Sequence, residues 1–83
     1  MSTPRLDRVV AAIEAYLTSH PVAADSAAGI ARWWLGQEGI EAGVDEVQGA
    51  LERLVENGVV RARTLPGGER IYSAMRPPST EAD

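Results

Sequence analysis

Apolar residues recur at helical spacing in three segments of the chain, which predict helices over about residues 4–19, 26–38 and 44–57. Thr3 and Pro4 are suited to start the first helix, and Asp25 or Ser26 can cap the second. The apolar stripe of the first helix contains Leu6, Val9, Val10, Ile13 and Leu17. The stripe of the third helix contains Val44, Val47, Leu51, Leu54 and Val55. We expect these stripes to pack on one shared core.

After Gly58 the period changes from helical to alternating. VVRARTL and ERIYSA are short β-prone runs separated by the turn sequence PGG, so a β-hairpin is predicted over about residues 59–74. Tyr72 is expected to pack on the core, with Ile71 and Met75 closing one end of it. Residues 76–83 lack apolar periodicity and contain adjacent prolines, which predicts a flexible tail after a single domain over residues 1–75.

Two adjacent tryptophans stand in the second predicted helix. Neighbours on a helix point about 100° apart, so one buried stripe cannot take both rings equally. Trp34 continues the stripe of Ala27, Ile30 and Ala31 and is predicted to anchor the core, with Leu35 at the border of the stripe. Two interpretations remain for Trp33: it covers the margin of the core, or it is a partly exposed contact in an interface.

Composition indicates a small globular protein of 83 residues, 45% hydrophobic and 24% charged. The absence of cysteine excludes disulfides and thiolate metal sites. The apolar runs fall short of the roughly 20 residues that cross a bilayer, and the first residues do not lead into a signal peptide. We therefore expect a cytoplasmic protein that does not bind a membrane.

Residues that carry chemistry are sparse. His20 is the sole histidine, and a triad of Ser19, His20 and Asp25 at a helix end would lack a pocket and an oxyanion hole. The carboxylates do not have the spacing of zinc or calcium ligands, and the PGG turn leads into a strand rather than a phosphate-binding helix. The sequence therefore predicts no enzyme activity, no cofactor, no metal and no small-molecule ligand.

The order helix, helix, helix, hairpin resembles the winged helix-turn-helix family over about residues 4–75, most closely in VDEVQGALERLVENGVVRARTLPGGERIYSA. The resemblance implies a mainly α, α+β fold: a three-helix bundle with a C-terminal two-stranded β-hairpin wing. It also implies a third helix that enters the DNA major groove while the wing touches the backbone. The same fold serves elsewhere as a protein-interaction module. The turn GIEAG, residues 39–43, is longer than in compact DNA-reading units.

Charge on the third predicted helix disfavours DNA. Residues 44–58 contain four carboxylates and a single arginine, and the whole chain has a net charge of −4. Carboxylates facing a polyanion release no counterions, although Gln48 and Arg53 have side chains able to read bases. Gly49, in mid-helix, either admits a closely approaching neighbour or occupies a tolerant surface position. The side chains expected to point outward are Asp45, Gln48, Gly49, Glu52, Arg53 and Glu56.

The wing has the opposite charge, with Arg61, Arg63, Arg70 and Arg76 against Glu69. These cations suit a phosphate backbone, an acidic protein partner, or simply the protection of an exposed strand edge. The sequence thus predicts a non-catalytic module that acts mainly by protein–protein interaction, with itself or another protein, as an adaptor or regulatory subunit. The alternative is a small DNA-binding transcriptional regulator. Candidate partner-binding residues are Trp33, Asp45, Gln48, Gly49, Glu52, Arg53 and Glu56; candidate wing contacts are Arg61, Arg63 and Arg70.

Overall fold

Three helices and a three-stranded antiparallel sheet form the part of the chain, residues 4–75, that the computed structural model describes. Thr3 and the tail expected over residues 76–83 lie outside this range. No helix within residues 4–75 combines the length and the apolar character needed to cross a membrane. In chain order the elements are α1 (Pro4–Ser19), β1 (Ala24–Asp25), α2 (residues 27–37), α3 (Val44–Glu56), β2 (Val60–Thr64) and β3 (Arg70–Ala74).

Local signals explain where α2 begins and where α2 and α3 end. The Ser26 hydroxyl accepts a hydrogen bond of 3.2 Å from the Gly29 N–H at the start of α2. Gly39 and Gly58, with φ of 73° and 77°, follow the ends of α2 and α3, in a backbone conformation that favours glycine. Both glycines therefore allow the chain to leave the helix at these points.

A π-helical turn interrupts α2 and rotates its second half. The helix consists of α-helical Ala27–Gly29, π-helical Ile30–Trp34 and α-helical Leu35–Gln37. The Leu35 N–H bonds to the carbonyl of Ile30, five residues earlier, which brings these two residues to the same side of the helix. Leu35 was expected at the border of the apolar stripe, but the wider turn carries it into the core, where it is fully buried beside Trp34.

The sheet has one strand more than the expected two-stranded hairpin. Its order is β1-β3-β2, so β3 lies in the middle and pairs with both neighbours. Ala24 pairs with Ser73 on one side of β3, and Arg61 pairs with the same residue on the other. The predicted hairpin is present as β2 and β3, whereas β1 was not predicted, because its two residues are too few to show an alternating pattern.

One apolar core lies between the helices and the inner face of the sheet. Trp34 is 3% exposed and Tyr72 is buried, which confirms both as core residues. Met75 is exposed and Ile71 is only partly buried, on the outer side of the sheet, so the expectation that they close the core was wrong. The buried residues are Val9, Ala12, Ile13, Leu17, Ala27, Ile30, Trp34, Leu35, Val47, Ala50, Leu51, Leu54, Val60 and Tyr72.

Aromatic rings stack between α1 and α2. The Tyr16 ring lies 4.7 Å from the Trp34 ring and 4.1 Å from the His20 ring, nearly parallel to both. His20 Nδ1 is also 3.2 Å from the carbonyl oxygen of Tyr16, one turn back in α1. His20 thus packs against the end of α1, as a structural residue does.

Candidate functional site

The outward side of α3 carries a continuous row of polar and acidic side chains. Asp45, Gln48, Glu52 and Glu56 are all exposed, and their spacing of three or four residues places them on one side of the helix. Val47, Leu51 and Leu54 occupy the opposite side and are fully buried. We call these four exposed residues the acidic stripe; none of them is a cation.

Two residues expected to share the outward side, Gly49 and Arg53, instead face α1. Arg53 Nη1 donates a hydrogen bond of 2.9 Å to Oδ1 of Asp7, forming an ion pair. A Cβ at Gly49 would lie 3.8 Å from Leu6 Cδ1, an ordinary van der Waals contact. The expectation failed because α1 packs against this flank of α3. The only arginine of α3 therefore pairs with α1 and does not neutralise the acidic stripe.

Glu46, on the same flank, is held by Arg5 at the start of α1. Nε and Nη2 of Arg5 both donate to the Glu46 carboxylate, and the Nη2–Oε1 distance is 3.1 Å. Glu46 Oε1 also accepts a 3.0 Å hydrogen bond from the Gly43 N–H. These donors hold the pKa of Glu46 below its usual range, Arg5 contributing most, and the carboxylate raises the pKa of Arg5. Glu46 therefore belongs to the α1–α3 contact.

The Glu46 contact predicts an acid-sensitive contribution to stability. The folded-state pKa lies below the unfolded value of about 4.3, so the contribution is present above that pH and is lost as the pH falls through the folded pKa. Urea unfolding of the wild type and of Glu46→Gln should differ by a constant amount near neutral pH, and the difference should shrink in acid. Glu14→Gln, on the exposed side of α1, controls for the loss of a carboxylate. A difference that persists unchanged to pH 3 would contradict the assignment.

A groove between the start of α2, α3 and the hairpin brings together three of the candidate residues. Gln48, Glu52 and Arg70 line it, and its volume is about 520 Å³. Glu69 lines the same groove, so the arginine is accompanied there by two carboxylates. The remaining lining residues include Ser26, Ala28, Val44 and Tyr72.

The other two wing arginines lie on the opposite face of the sheet. Arg61 pairs with Ser73 and Arg63 with Ile71, whereas Tyr72, between those two positions, points into the core. Since side chains alternate across a strand, Arg61 and Arg63 point away from the core and from α3. The cations of the hairpin are therefore divided between two faces of the sheet. Arg76 lies outside the described residues.

The two tryptophans differ as sharply in exposure as their spacing suggested. Trp33 is 63% exposed, and the guanidinium carbon of Arg32 lies 5.9 Å from the centre of its ring. This exposure favours the interpretation of Trp33 as a surface contact over that of a cover for the core.

The sequence did not predict the two residues of α1 that form ion pairs with α3. Arg5 lies 41 positions before Glu46 in the chain, and Asp7 lies 46 positions before Arg53. A local sequence pattern does not predict contacts at such separations. The acidic net charge of the third helix was the sequence feature that indicated basic partners for it. No protein-family model and no curated protein sequence matches the chain.

Proposed function

We propose that the chain is a winged-helix domain that acts without catalysis, mainly through protein–protein interaction, as an adaptor or regulatory subunit. Its three helices followed by a hairpin support the winged-helix assignment. The proposed docking element is α3, and the proposed partner, a second copy or another protein, presents a basic surface to it.

The observation that carries the proposal is the acidic stripe without a cation. Asp45, Glu52 and Glu56 are exposed along one side of α3, while Arg53 is engaged by Asp7 on α1. A DNA duplex in contact with this side would meet carboxylates at close range and release no counterions in return. A basic protein surface gains complementary charge from the same contact.

Trp33 supplies an apolar contact that the acidic stripe lacks. Exposed tryptophans often dominate the binding energy of interfaces, because a large rigid ring is removed from water at low entropic cost. Trp33 stands on α2 with Arg32 beside its ring. A partner that contacts α2 would bury this ring.

The groove between α3 and the hairpin favours the alternative, a small DNA-binding transcriptional regulator. Gln48 is able to read adenine and Arg70 to bind guanine or phosphate, and both line this groove. Glu52 and Glu69 line it as well, and they repel the same phosphates. The protein-interaction proposal therefore ranks first.

Titration of the ¹⁵N-labelled chain with duplex DNA at low salt separates the two functions. Nonspecific attraction is strongest under these conditions, and a regulator would show shifts of the Gln48 and Arg70 amides that fade as salt is added. We expect no saturable shifts along α3. Saturable shifts there would establish the DNA-binding function and overturn the proposal.

Affinity capture from the cells that produce the protein tests the partner. Wild type and Glu14→Arg, a matched charge reversal on the exposed side of α1, should retain the same protein. The double variant Glu52→Arg/Glu56→Arg should lose it, because the acidic stripe becomes basic. A protein retained equally by all three baits would show that α3 is not the docking element.

A further inference from the structure

The edge strand β2 is open to pairing. The sheet order leaves β2 hydrogen-bonded to β3 on one side, and no other strand within residues 4–75 lies on its second side. After the buried Val60, all residues of β2 are exposed. An exposed edge of this kind is a template for an additional strand.

The hydrogen-bond register shows which backbone groups face the open edge. The Met75 N–H bonds to the Val59 carbonyl at 2.9 Å, and the Leu65 N–H bonds to the Glu69 carbonyl at 2.8 Å. Residues of an antiparallel strand alternate between bonding one neighbour and the other. Residues 59, 61, 63 and 65 therefore bond towards β3, and Ala62 and Thr64 direct their N–H and C=O groups to the open edge.

Side chains beside this edge are basic on the outer face of the sheet. Arg61 and Arg63 line a shallow groove of about 280 Å³ whose other lining residues are uncharged, among them Val22, Ala24 and Ile71. Neither arginine forms an ion pair with any residue in the range 4–75. Val22 is 84% exposed, so an apolar side chain open to solvent adjoins the two cations.

We propose that the open edge of β2 binds an extended acidic segment of a partner protein as an added β-strand. Ala62 and Thr64 supply the backbone hydrogen bonds. Acidic side chains at alternate positions of the added strand lie opposite Arg61 and Arg63, where directly facing opposite charges stabilise the pairing. The small side chain of Ala62 leaves room for an aliphatic residue on the other face. This site is separate from α3, so it stands beyond the proposed function of that helix.

Charge argues against a second copy at this edge. Antiparallel pairing of two β2 strands would place the arginines of one chain next to those of the other, and like charges opposite each other destabilise a sheet. Nucleic acid would pair its phosphates with the cations, but it has no alternating N–H and C=O groups to continue the hydrogen-bond ladder at Ala62 and Thr64. The alternation of edge amides and cations therefore matches an acidic peptide best.

The direct test uses a short synthetic peptide that alternates glutamate with valine, and a control peptide that alternates lysine with valine. The glutamate peptide should cause saturable NMR shifts along β2 and slow hydrogen exchange at the Ala62 and Thr64 amides. The Arg61 and Arg63 amides are already bonded to β3, so their exchange should change little. Shifts without protection at Ala62 and Thr64, or no shifts, would overturn strand addition.

Variants test each half of the site. Arg61→Glu/Arg63→Glu should weaken binding of the glutamate peptide by about tenfold or more and confer binding of the lysine peptide. Arg8→Glu, on the exposed side of α1, should leave the affinity unchanged. Ala62→Pro should also abolish binding, because proline removes an edge N–H that β3 does not use; its ¹⁵N spectrum verifies folding. The proposal would be overturned if Arg61→Glu/Arg63→Glu bound the glutamate peptide as tightly as the wild type does. It would also be overturned if duplex DNA bound at the same amides more tightly than the glutamate peptide.

Discussion

Replacing Trp34 with alanine is expected to lower the free energy of unfolding by about 3–5 kcal/mol. The indole is 3% exposed, stacks on Tyr16 at 4.7 Å and lies in the core that the three helices share. Its removal leaves a large cavity and also loses the ring contact. A domain this small has a total stability of about 3–5 kcal/mol, so much of the Trp34→Ala protein should be unfolded at 25 °C.

Trp33→Ala is the matched control, since it removes the same side chain one position earlier. With its ring 63% exposed, this variant should lose less than about 1 kcal/mol. Urea unfolding followed by far-ultraviolet circular dichroism measures both, because each variant removes one of the two tryptophan fluorophores. Equal losses would mean that Trp33 contributes to the core and would remove it from the candidate interface.

Gly29→Ala is expected to destabilise the chain by about 1–2 kcal/mol, although the same change inside a helix normally stabilises by about 1 kcal/mol. A Cβ at Gly29 would overlap the Asp25 carboxylate. That carboxylate accepts a 2.7 Å hydrogen bond from the Ser26 N–H at the start of α2. Alanine therefore displaces Asp25 and breaks a charge-assisted hydrogen bond at the helix start.

Gly49→Ala is the matched control for Gly29→Ala. A Cβ at Gly49 meets only Leu6 Cδ1, at 3.8 Å, so this variant should stabilise by up to about 1 kcal/mol. In an Asp25→Ala background the obstacle is absent, and Gly29→Ala should become stabilising as well. Urea unfolding of the single and double variants gives the free energies for a double-mutant cycle between Asp25 and Gly29. A stabilising effect of Gly29→Ala in the wild-type background would contradict the proposed overlap.

Local patterns predicted most of the helical structure because they depend on neighbours in the chain. The apolar stripe of α1, the Ser26 cap and the glycines at positions 39 and 58 act within a few residues. The burial of Trp34 and Tyr72 followed in the same way from position along an apolar stripe or strand. No local pattern predicted the π-helical turn of α2. Leu35 was therefore expected at the border of the apolar stripe, whereas it lies in the core.

The candidate surfaces depended on contacts that no local pattern encodes. The sequence predicted an acidic third helix but placed Arg53 on its outward side, because only the packing of α1 reveals that Asp7 binds it. It predicted a basic wing, but the register of β2 and β3 is needed to see that Arg61 and Arg63 face away from α3.

By itself, the sequence determined three helices, a hairpin, a core anchored by Trp34 and opposite charges on the third helix and the wing. These follow from side-chain period, turn chemistry and residue charge, which act locally. The tertiary structure alone decided that β1 joins the sheet, that α3 keeps an outward side without a cation, and that β2 has an open basic edge. Those features arise where segments far apart in the chain meet, and packing of the shared core selects which segments meet.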